Sequence, residues 1–256
     1  MYGKAISDPT LGYSLFTMSS ETHIFIGVTT TTEDHMGLIK MKDLTSSRKI
    51  DWYNSLTCST FCRMTSVIQS SARADYIYTA SILKDSTNTY GQLHHFDSLG
   101  TYYWSQEFTM GSASISSYQI ARTMTSISGG SKLVQIWDTS GSVTYITVFE
   151  VSTSSHSDTP TSTSVYTIGS NNGIHRQAWG HSSNSNQIFL LENDNDSYGK
   201  IIKLDLSTFT YKATAVPMSS GSSFQIYSVV KNAQGSSDGD FYYAGKTTQA
   251  TDGGIN

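Results

Sequence analysis

The chain has 256 residues, of which 14% are charged and 37% hydrophobic, with a formal net charge of -4 and about 75 serines and threonines. An average globular domain is about 25% charged, so the polar surface of this chain is hydroxyl rather than ionic. The sequence has no apolar run of roughly 18 residues for a membrane helix and no basic excess for nucleic-acid phosphates, so neither a membrane span nor nucleic-acid binding is expected.

Short runs rich in Ile, Val, Tyr, Phe and Thr are separated by clusters of Gly, Ser, Asn and Asp along the chain, which is typical of an all-β protein. The most apolar runs recur about every 54 residues, slightly beyond the usual range of repeat architectures. They are Ile24–Thr29, Tyr76–Ser81, Val134–Thr139, Ile188–Glu192 and Phe241–Gly245. The chain is therefore predicted to be built from repeated β units.

Each run has predicted strands on both sides. One strand precedes it, and the next runs from Gly to an acid six positions later, as in Gly37–Asp43, Gly91–Asp97 and Gly199–Asp205, with Thr144–Glu150 serving in the third unit. The last strand of each complete unit carries an aromatic residue: Trp52, Trp104, Tyr166 or Tyr211. Four antiparallel strands per unit is the arrangement of a β-propeller blade.

The segment Gly91–Trp104 carries a family resemblance. It resembles the β-propeller repeats of bacteria and protists, whose blades read Gly, alternating apolar residues, Asp, two residues, Gly and then Trp. The resemblance covers nearly the whole chain, although the second unit matches best. It implies a propeller fold and no particular activity, because propellers carry unrelated functions.

We predict one propeller domain over residues 1–256, with an incomplete fifth unit. The predicted blades are 11–57, 58–112, 113–170, 171–218 and 219–256. Such a ring has an open edge strand, which could pair with another copy of the chain. Because the last unit stops inside a predicted strand, a part of a larger ring is favoured. The alternative is a five-bladed ring closed by residues 1–8.

A catalytic constellation is not predicted, and neither is a cofactor. The turn and arginine cluster of sialidase-type propellers are missing from the sequence. Arg63, Arg122 and Arg176 fall at related places on the first strands of successive units, where they could bind an anion in the central channel. Alternatively, they pair with acids of their own blades or face water. His94 and His95 are adjacent on one strand, so they point to opposite faces and cannot share a metal ion.

Cys58 and Cys62 are the two cysteines of the chain. No second Cys or His pair follows at the spacing of a zinc site, so a metal is not expected. A small-loop disulfide is the preferred interpretation, and two free thiols remain the alternative. Asn195-Asp-Ser is an N-glycosylation acceptor sequence in a predicted turn. The stretch 151–164 is rich in Ser and Thr around a proline and is either O-glycosylated or a long loop of the third blade.

Three functions are compatible with these features. The leading hypothesis is a non-catalytic, extracellular structural or adhesive module in a cell-surface coat or filament, with protein partners and glycans. The second is a carbohydrate-binding or carbohydrate-active propeller with its site at the channel mouth. The third is a cytoplasmic interaction scaffold. The hydroxyl-rich surface and the candidate disulfide and glycan sites favour the first.

Overall fold

The protein is described by a computed structural model that covers residues 10–17, 23–30, 32, 34–42, 49–58, 61–84, 89–108, 120–138, 144–168, 173–180, 184, 186–194, 199–215, 224–231 and 241–247. Across these residues the regular elements are strands, apart from a 3₁₀ turn at Ser128–Gly130. A search of the same residues finds no helix suited to crossing a membrane.

The strands form antiparallel sheets in chain order. The first sheet contains β1 (Thr10–Thr17), β2 (His23–Thr30), β3 (His35–Lys42) and β4 (Lys49–Thr57). The second contains β5 (Phe61–Gln69), β6 (Tyr76–Lys84), β7 (Thr89–Asp97) and β8 (Tyr102–Phe108). The third contains β9 (Ile120–Ile127), β10 (Lys132–Asp138), β11 (Thr144–Glu150) and β12 (Ser162–Ile168).

The fourth sheet has the same layout, with β13 (Gly173–Gly180), β14 (Gln187–Asp194), β15 (Gly199–Asp205) and β16 (Thr210–Ala215). In the part of the fifth sheet that the structure describes, β17 (Phe224–Lys231) pairs with β18 (Phe241–Thr247). In every four-stranded sheet each strand pairs with its neighbours in sequence. Each sheet is therefore a local meander that forms from nearby residues.

The second strands of the second and third sheets are apolar on both faces because another sheet covers each face. On β6, Tyr78 and Ala80 belong to the core shared with the third sheet, whereas Ile77 belongs to the core shared with the first sheet. A strand buried on both faces gives a nearly continuous apolar run instead of a strict alternation. This explains why these runs were the clearest repeat signal in the sequence.

The first strands of successive sheets lie next to one another. Strand β1 contacts β5, β5 contacts β9, β9 contacts β13, and β13 contacts β17. Radial sheets whose first strands meet on the inside, and whose apolar cores lie between neighbouring sheets, are the arrangement of a β-propeller. The predicted all-β, propeller-like fold with four-stranded antiparallel sheets is confirmed. The exact blade boundaries stay predictions.

Two turns show why the repeat carries an acid at the end of each third strand. The Asp97 carboxylate accepts hydrogen bonds from the Leu99 and Thr101 N–H groups, at 2.9 and 2.8 Å. Asp205 accepts one from the Ser207 N–H at 2.9 Å. A side chain that bonds the backbone two residues further on closes a tight turn. Asp97 and Asp205 therefore close the turns that follow their strands.

Candidate functional site

The three arginines proposed for the central channel do not share one register position. Each first strand contains one extra residue relative to its partner, and this β-bulge falls at Arg122 in the third sheet and Arg176 in the fourth. In the second sheet the bulge falls at Thr65. Arg63 therefore lies two residues before the position that the other two occupy, and its guanidinium is 5.5 Å from the Phe61 ring centre. The side chains of Arg122 and Arg176 lie outside the described residues.

Cys58 and Cys62 form a disulfide, with their Cα atoms 6.0 Å apart. The bond links the end of the first sheet to the first strand of the second, and the Cys62 side chain is fully buried in the core between them. The Cys58 N–H also donates to the Asp34 carbonyl at 2.9 Å. The candidate glycosylation residue Asn195 lies outside the described residues. In the described part of the chain, no three His, Cys, Asp or Glu side chains are grouped to hold a metal ion.

A polar cluster lies at the junction of the second and third sheets, and we call it the histidine cluster. It consists of Asp75, His95 and His156. Nε2 of His95 shares a hydrogen bond with Nδ1 of His156 at 2.9 Å, and Nε2 of His156 lies 3.1 Å from Oδ2 of Asp75. The cluster thus joins a strand and a turn of the second sheet to the third sheet.

His156 reaches this position because of the long connection between β11 and β12. This connection, residues 151–161, makes up most of the Ser- and Thr-rich stretch 151–164. It begins and ends on backbone hydrogen bonds, from the Val151 N–H to Ser131 and from the Thr161 N–H to Glu150, both at 2.9 Å. Trp104 of β8 donates its indole N–H to the His156 carbonyl at 3.0 Å. The residues between β11 and β12 therefore form a long loop of the third sheet, and this loop lies against the second sheet.

Aromatic rings enclose the two imidazoles. The rings of Tyr103 and His156 are stacked at 4.5 Å, and those of Tyr78 and His95 at 4.6 Å. Tyr76 lies 4.1 Å from His156. Aromatic contacts at these distances contribute about 0.5–1.5 kcal/mol beyond simple burial. As a result only 1% of His95 is exposed.

Burial governs the charge state of the cluster. It lowers the pKa of His95 to about 4, and the neighbouring His156 acts in the same direction. Burial alone raises the pKa of Asp75, but hydrogen bonds from Arg73 and His156 outweigh it, and the pKa is lowered overall. Arg73 holds Asp75 in a bidentate pair, with nitrogen to oxygen distances of 3.0 and 2.8 Å. At neutral pH the cluster contains a carboxylate and a neutral His95.

The geometry of the cluster favours a structural role over a catalytic one. Both ring nitrogens of His156 are engaged, one by a carboxylate and one by His95. A His–Asp pair that serves as a general base needs a free nitrogen directed at a substrate. Here the second ring nitrogen of His156, which a general base would direct at a substrate, is bonded to the buried imidazole of His95. The chemistry of the cluster is the attachment of one sheet to the next.

The neighbouring junctions use other side chains at the same place. In the first sheet, Lys40 and Trp52 both donate to the Ser98 carbonyl of the second sheet, at 2.9 and 3.2 Å. In the third sheet, the Tyr166 ring is stacked on Phe209 of the fourth at 4.4 Å. In each case, side chains of the third or fourth strand contact the turn between the third and fourth strands of the next sheet. Trp52 and Trp104 donate in the same way at the first two junctions. Composition and periodicity could not reveal the contacts of Lys40, His95 and Tyr166, because these residue types differ from junction to junction.

Two of the four aromatics that the repeat predicted are out of the register of Trp52 and Trp104. In the third sheet that position is held by Ser164, which pairs with Val148, and Tyr166 lies two residues later. Tyr211 pairs in register with Leu204, whose side chain belongs to the core shared with the third sheet. Lys212 occupies the position that corresponds to Trp52 and Trp104, since it pairs with Lys203. Tyr211 is 54% exposed. The aromatic residue of the fourth unit is therefore one residue out of the register assumed from the sequence.

The exposed large apolar side chains in the described residues lie on equivalent strands of different sheets. All lie on fourth strands, except Leu99 in the turn that leads into β8. They are Ile50, Tyr53, Leu99, Tyr102, Tyr103, Val165 and Tyr211. Because the fourth strand is the outermost of each sheet, these residues form what we call the apolar rim.

Comparisons with known proteins relate to the fold. Neither a scan against protein-family models nor a search of curated proteins gives a match. A solved structure of a Lactobacillus plantarum protein is similar with a TM-score of 0.60 and 15% identity, over 92% of this chain and 64% of that one. A Bacteroides fragilis protein described as a candidate 6-phosphogluconolactonase has a TM-score of 0.55 and 10% identity, over 84% of this chain and 60% of that one.

This chain thus spans less than two thirds of either of those chains. At such low identities the similarity concerns the fold alone. The chain is a propeller-like module. This conclusion rests on the structural similarity, on the meander order of the sheets and on the contacts between their first strands.

Proposed function

We propose that this chain is a non-catalytic structural or adhesive propeller module of an extracellular assembly such as a cell-surface coat or filament. The observation that carries the proposal is the apolar rim. In each four-stranded sheet at least one large apolar side chain is exposed on the outer strand, where it is accessible to a partner molecule. We also propose that its blades belong to the bacterial and protist repeat family that Gly91–Trp104 resembles.

The rim lies on edge strands, which supports its use in assembly. An edge strand has unpaired backbone groups and can add a strand from another chain, and proteins usually protect such edges with charges. Here Ile50 is 50% and Tyr211 54% exposed at the edges of the first and fourth sheets. Tyrosine combines an apolar ring with a polar hydroxyl, a combination enriched in interfaces. The partners we propose are proteins, including further copies of this chain, and glycans.

Two further features support an extracellular location. Disulfides persist in oxidising compartments and are rare in the cytosol, and Cys58 and Cys62 are bonded. The surface is poor in charge and rich in hydroxyl groups, which suits a glycan-bearing exterior. The candidate acceptor Asn195 adds to this part of the proposal.

A rim variant tests the adhesive role. Replacing Tyr53→Ser and Tyr211→Ser removes two exposed rings without touching the cores, and Ser55→Ala with Thr210→Ala is the matched control on the same strands. We expect sedimentation velocity to show concentration-dependent association of the wild type and the control, and its loss in the rim variant. Equal association of all three proteins, or a wild type that stays monomeric and binds no cell-surface material, would refute the proposal.

The location and the absence of catalysis need separate measurements. The intact mass of the native protein should exceed the polypeptide mass by a glycan, whereas an unmodified protein with reduced cysteines would indicate a cytoplasmic scaffold. A panel of glycoside and lactone substrates should give no turnover. Turnover that survives purification to homogeneity would instead support the carbohydrate-active alternative.

That second candidate, a carbohydrate-binding propeller, is favoured by one observation. Arg122 and Arg176 lie at the same bulge of adjacent inner strands.

A further inference from the structure

Outside the histidine cluster, buried polar side chains at the junction of the second and third sheets have no hydrogen-bond partner among the described residues. The unpartnered atoms are both amide atoms of Gln135, the indole nitrogen of Trp137 and the hydroxyls of Thr147 and Ser66. Gln135, Trp137 and Thr147 are 0% exposed, and Ser66 is 5% exposed. Buried polar groups in folded proteins are nearly always bonded to protein or to water, so these atoms indicate a bound ligand.

Gln135 and Thr147, which we call the polar pair, lie side by side on the face of the third sheet that packs on the second. They pair in register on β10 and β11, so their side chains are neighbours on one face. Leu133 and Trp137, two positions to either side of Gln135, belong to the core shared with the second sheet. Because side chains alternate along a strand, the polar pair also faces the second sheet.

The second sheet presents a hydroxyl and a small side chain to this junction. Ser66 of β5 pairs in register with Ala80 of β6, and Ala80 belongs to the same core as Trp137. Residues that pair directly lie on one face, so Ser66 faces the third sheet as well. The polar groups of both sheets are therefore directed into one junction, where Ala80 contributes only a methyl group.

The next junction shows an apolar form of the same arrangement. Leu190 and Ile202 of the fourth sheet pair in register at the positions that the polar pair has in the third sheet, counted from the bulge of each first strand. The residue of the third sheet that corresponds to Ala80 is Ile136, and it lies in one core with Leu190 and Ile202. A large apolar residue thus accompanies an apolar pair, whereas the small Ala80 accompanies a polar pair.

The pattern of donors and acceptors identifies the ligand. The Gln135 amide needs an acceptor for Nε2 and a donor for Oε1, and the Trp137 N–H needs an acceptor. A cation satisfies only the oxygen atoms and an anion only the N–H and O–H groups, whereas water both donates and accepts. Because all of these side chains are buried, the smallest molecule with both properties fits the junction best.

We propose that Gln135 and Thr147 form an internal water-binding site between the second and third sheets. A bound water accepts hydrogen bonds from Nε2 of Gln135 or Nε1 of Trp137 and donates to Oε1 of Gln135 or to a hydroxyl, and buried waters make about three such bonds. The site joins two sheets at the junction that also carries the histidine cluster. It does not involve the apolar rim, so the failure of one proposal leaves the other standing.

Oxygen-17 magnetic relaxation dispersion of water tests the site, because it counts water molecules that are held inside a protein. It is applied to the full chain and to the variant with Gln135→Leu and Thr147→Val, which makes the polar pair apolar as it is in the fourth sheet. We expect this double variant to lose about one long-lived water per chain. Ile202→Val, at the corresponding position of the fourth sheet, is the matched control and should lose none.

Further measurements on the wild type keep the test decisive if the double variant fails to fold by circular dichroism. The indole proton of Trp137, assigned with Trp137→Phe, should show a nuclear Overhauser effect to water, and a crystal structure should place ordered water within hydrogen-bond distance of Gln135. Equal dispersion of the wild type and a folded double variant would overturn the proposal. So would an indole proton without this effect, or a Gln135 amide bonded directly to Thr147 or another protein group.

Discussion

His95 and His156 are 61 residues apart in sequence, yet Nε2 of the first lies 2.9 Å from Nδ1 of the second. This bond crosses the junction between the second and third sheets. It continues through His156 to Asp75, so a loop of one sheet is held by a strand and a turn of another. His95 takes the place that Lys40 has at the junction before it, whereas the tryptophan is kept, since Trp104 donates to the His156 carbonyl as Trp52 does to the Ser98 carbonyl.

Replacing His156→Ala should weaken this junction. The change leaves Nε2 of His95 buried without its partner, and removes the ring stacked on Tyr103. An unsatisfied buried polar group costs about 1–3 kcal/mol, so we expect the free energy of unfolding to fall by about 2 kcal/mol. Urea titration measures this. Thr159→Ala, an exposed change in the same loop, is the control and should shift stability by less than about 0.5 kcal/mol.

The stability of the protein should fall as the pH is lowered from about 6.5 to about 4. The pKa of His95 is lowered to about 4 by burial, and that of His94 to about 3 for the same reason. In this window the unfolded chain binds protons that the folded protein does not, so acid favours unfolding by at most about 1.4 kcal/mol per pH unit for each histidine.

The contribution of His95 to this pH dependence can be isolated. His95→Phe keeps an aromatic ring in the stack but cannot titrate. We expect its urea midpoint to be lower than that of the wild type at pH 7 and to depend less steeply on pH between 6.5 and 4. A variant with the same slope as the wild type would show that His95 does not carry the effect.

The disulfide should make a moderate contribution to stability. It joins residues separated by 4 positions, and a loop this short gives about 2 kcal/mol of stabilisation in the chain-entropy description. Cys58→Ala with Cys62→Ala should therefore lower the free energy of unfolding by about 2 kcal/mol. A thiol assay of the denatured wild type without reductant should detect no free thiol; two thiols per chain would contradict the bond.

Gly100→Ala should lower the free energy of unfolding more than the same substitution at a glycine where only the backbone is strained. The additional cost arises at the junction of the first and second sheets. Gly100 has φ +92, and a Cβ there would lie 2.8 Å from the Trp52 indole. Gly129 has φ +62 but nothing within 4 Å, so Gly129→Ala isolates the cost of the backbone conformation, about 1 kcal/mol. We expect Gly100→Ala to cost about 2 kcal/mol more, because Trp52 must move. Similar unfolding midpoints for Gly100→Ala and Gly129→Ala would contradict this, because they would show that the Trp52 ring moves aside at no cost in stability.

Part of the candidate site could be anticipated from single strands. Alternation along β7 places His94 and His95 on opposite faces, and the structure shows His94 bonded to Ser81 at 2.7 Å while His95 bonds to His156. The segment Asp97–Gly100, in which an acid precedes a glycine by three positions, is typical of a tight turn. Both inferences are local, since they depend only on residues close in sequence and on the geometry of one strand or one turn.

The register of the inner strands could not be anticipated in this way. Arg63, Arg122 and Arg176 appear equivalent when strands are aligned by their ends, but a bulge in each first strand moves Arg63 out of line with the other two. A single inserted residue leaves the apolar pattern almost unchanged, so composition and periodicity do not show it. For the same reason, the sequence pattern assigned Tyr211 to the register position that Lys212 occupies in the structure.

The sequence by itself determined the number of strands in each unit, their order and the propeller-like fold, because apolar runs and turn residues act over a few neighbouring positions. The tertiary structure alone decided how the sheets are joined. The partners of Lys40, His95 and Tyr166 lie on other sheets, and each junction satisfies the same need with a different side chain. Contacts between residues distant in sequence depend on the packing of whole sheets, and no local pattern records which side chains that packing brings together.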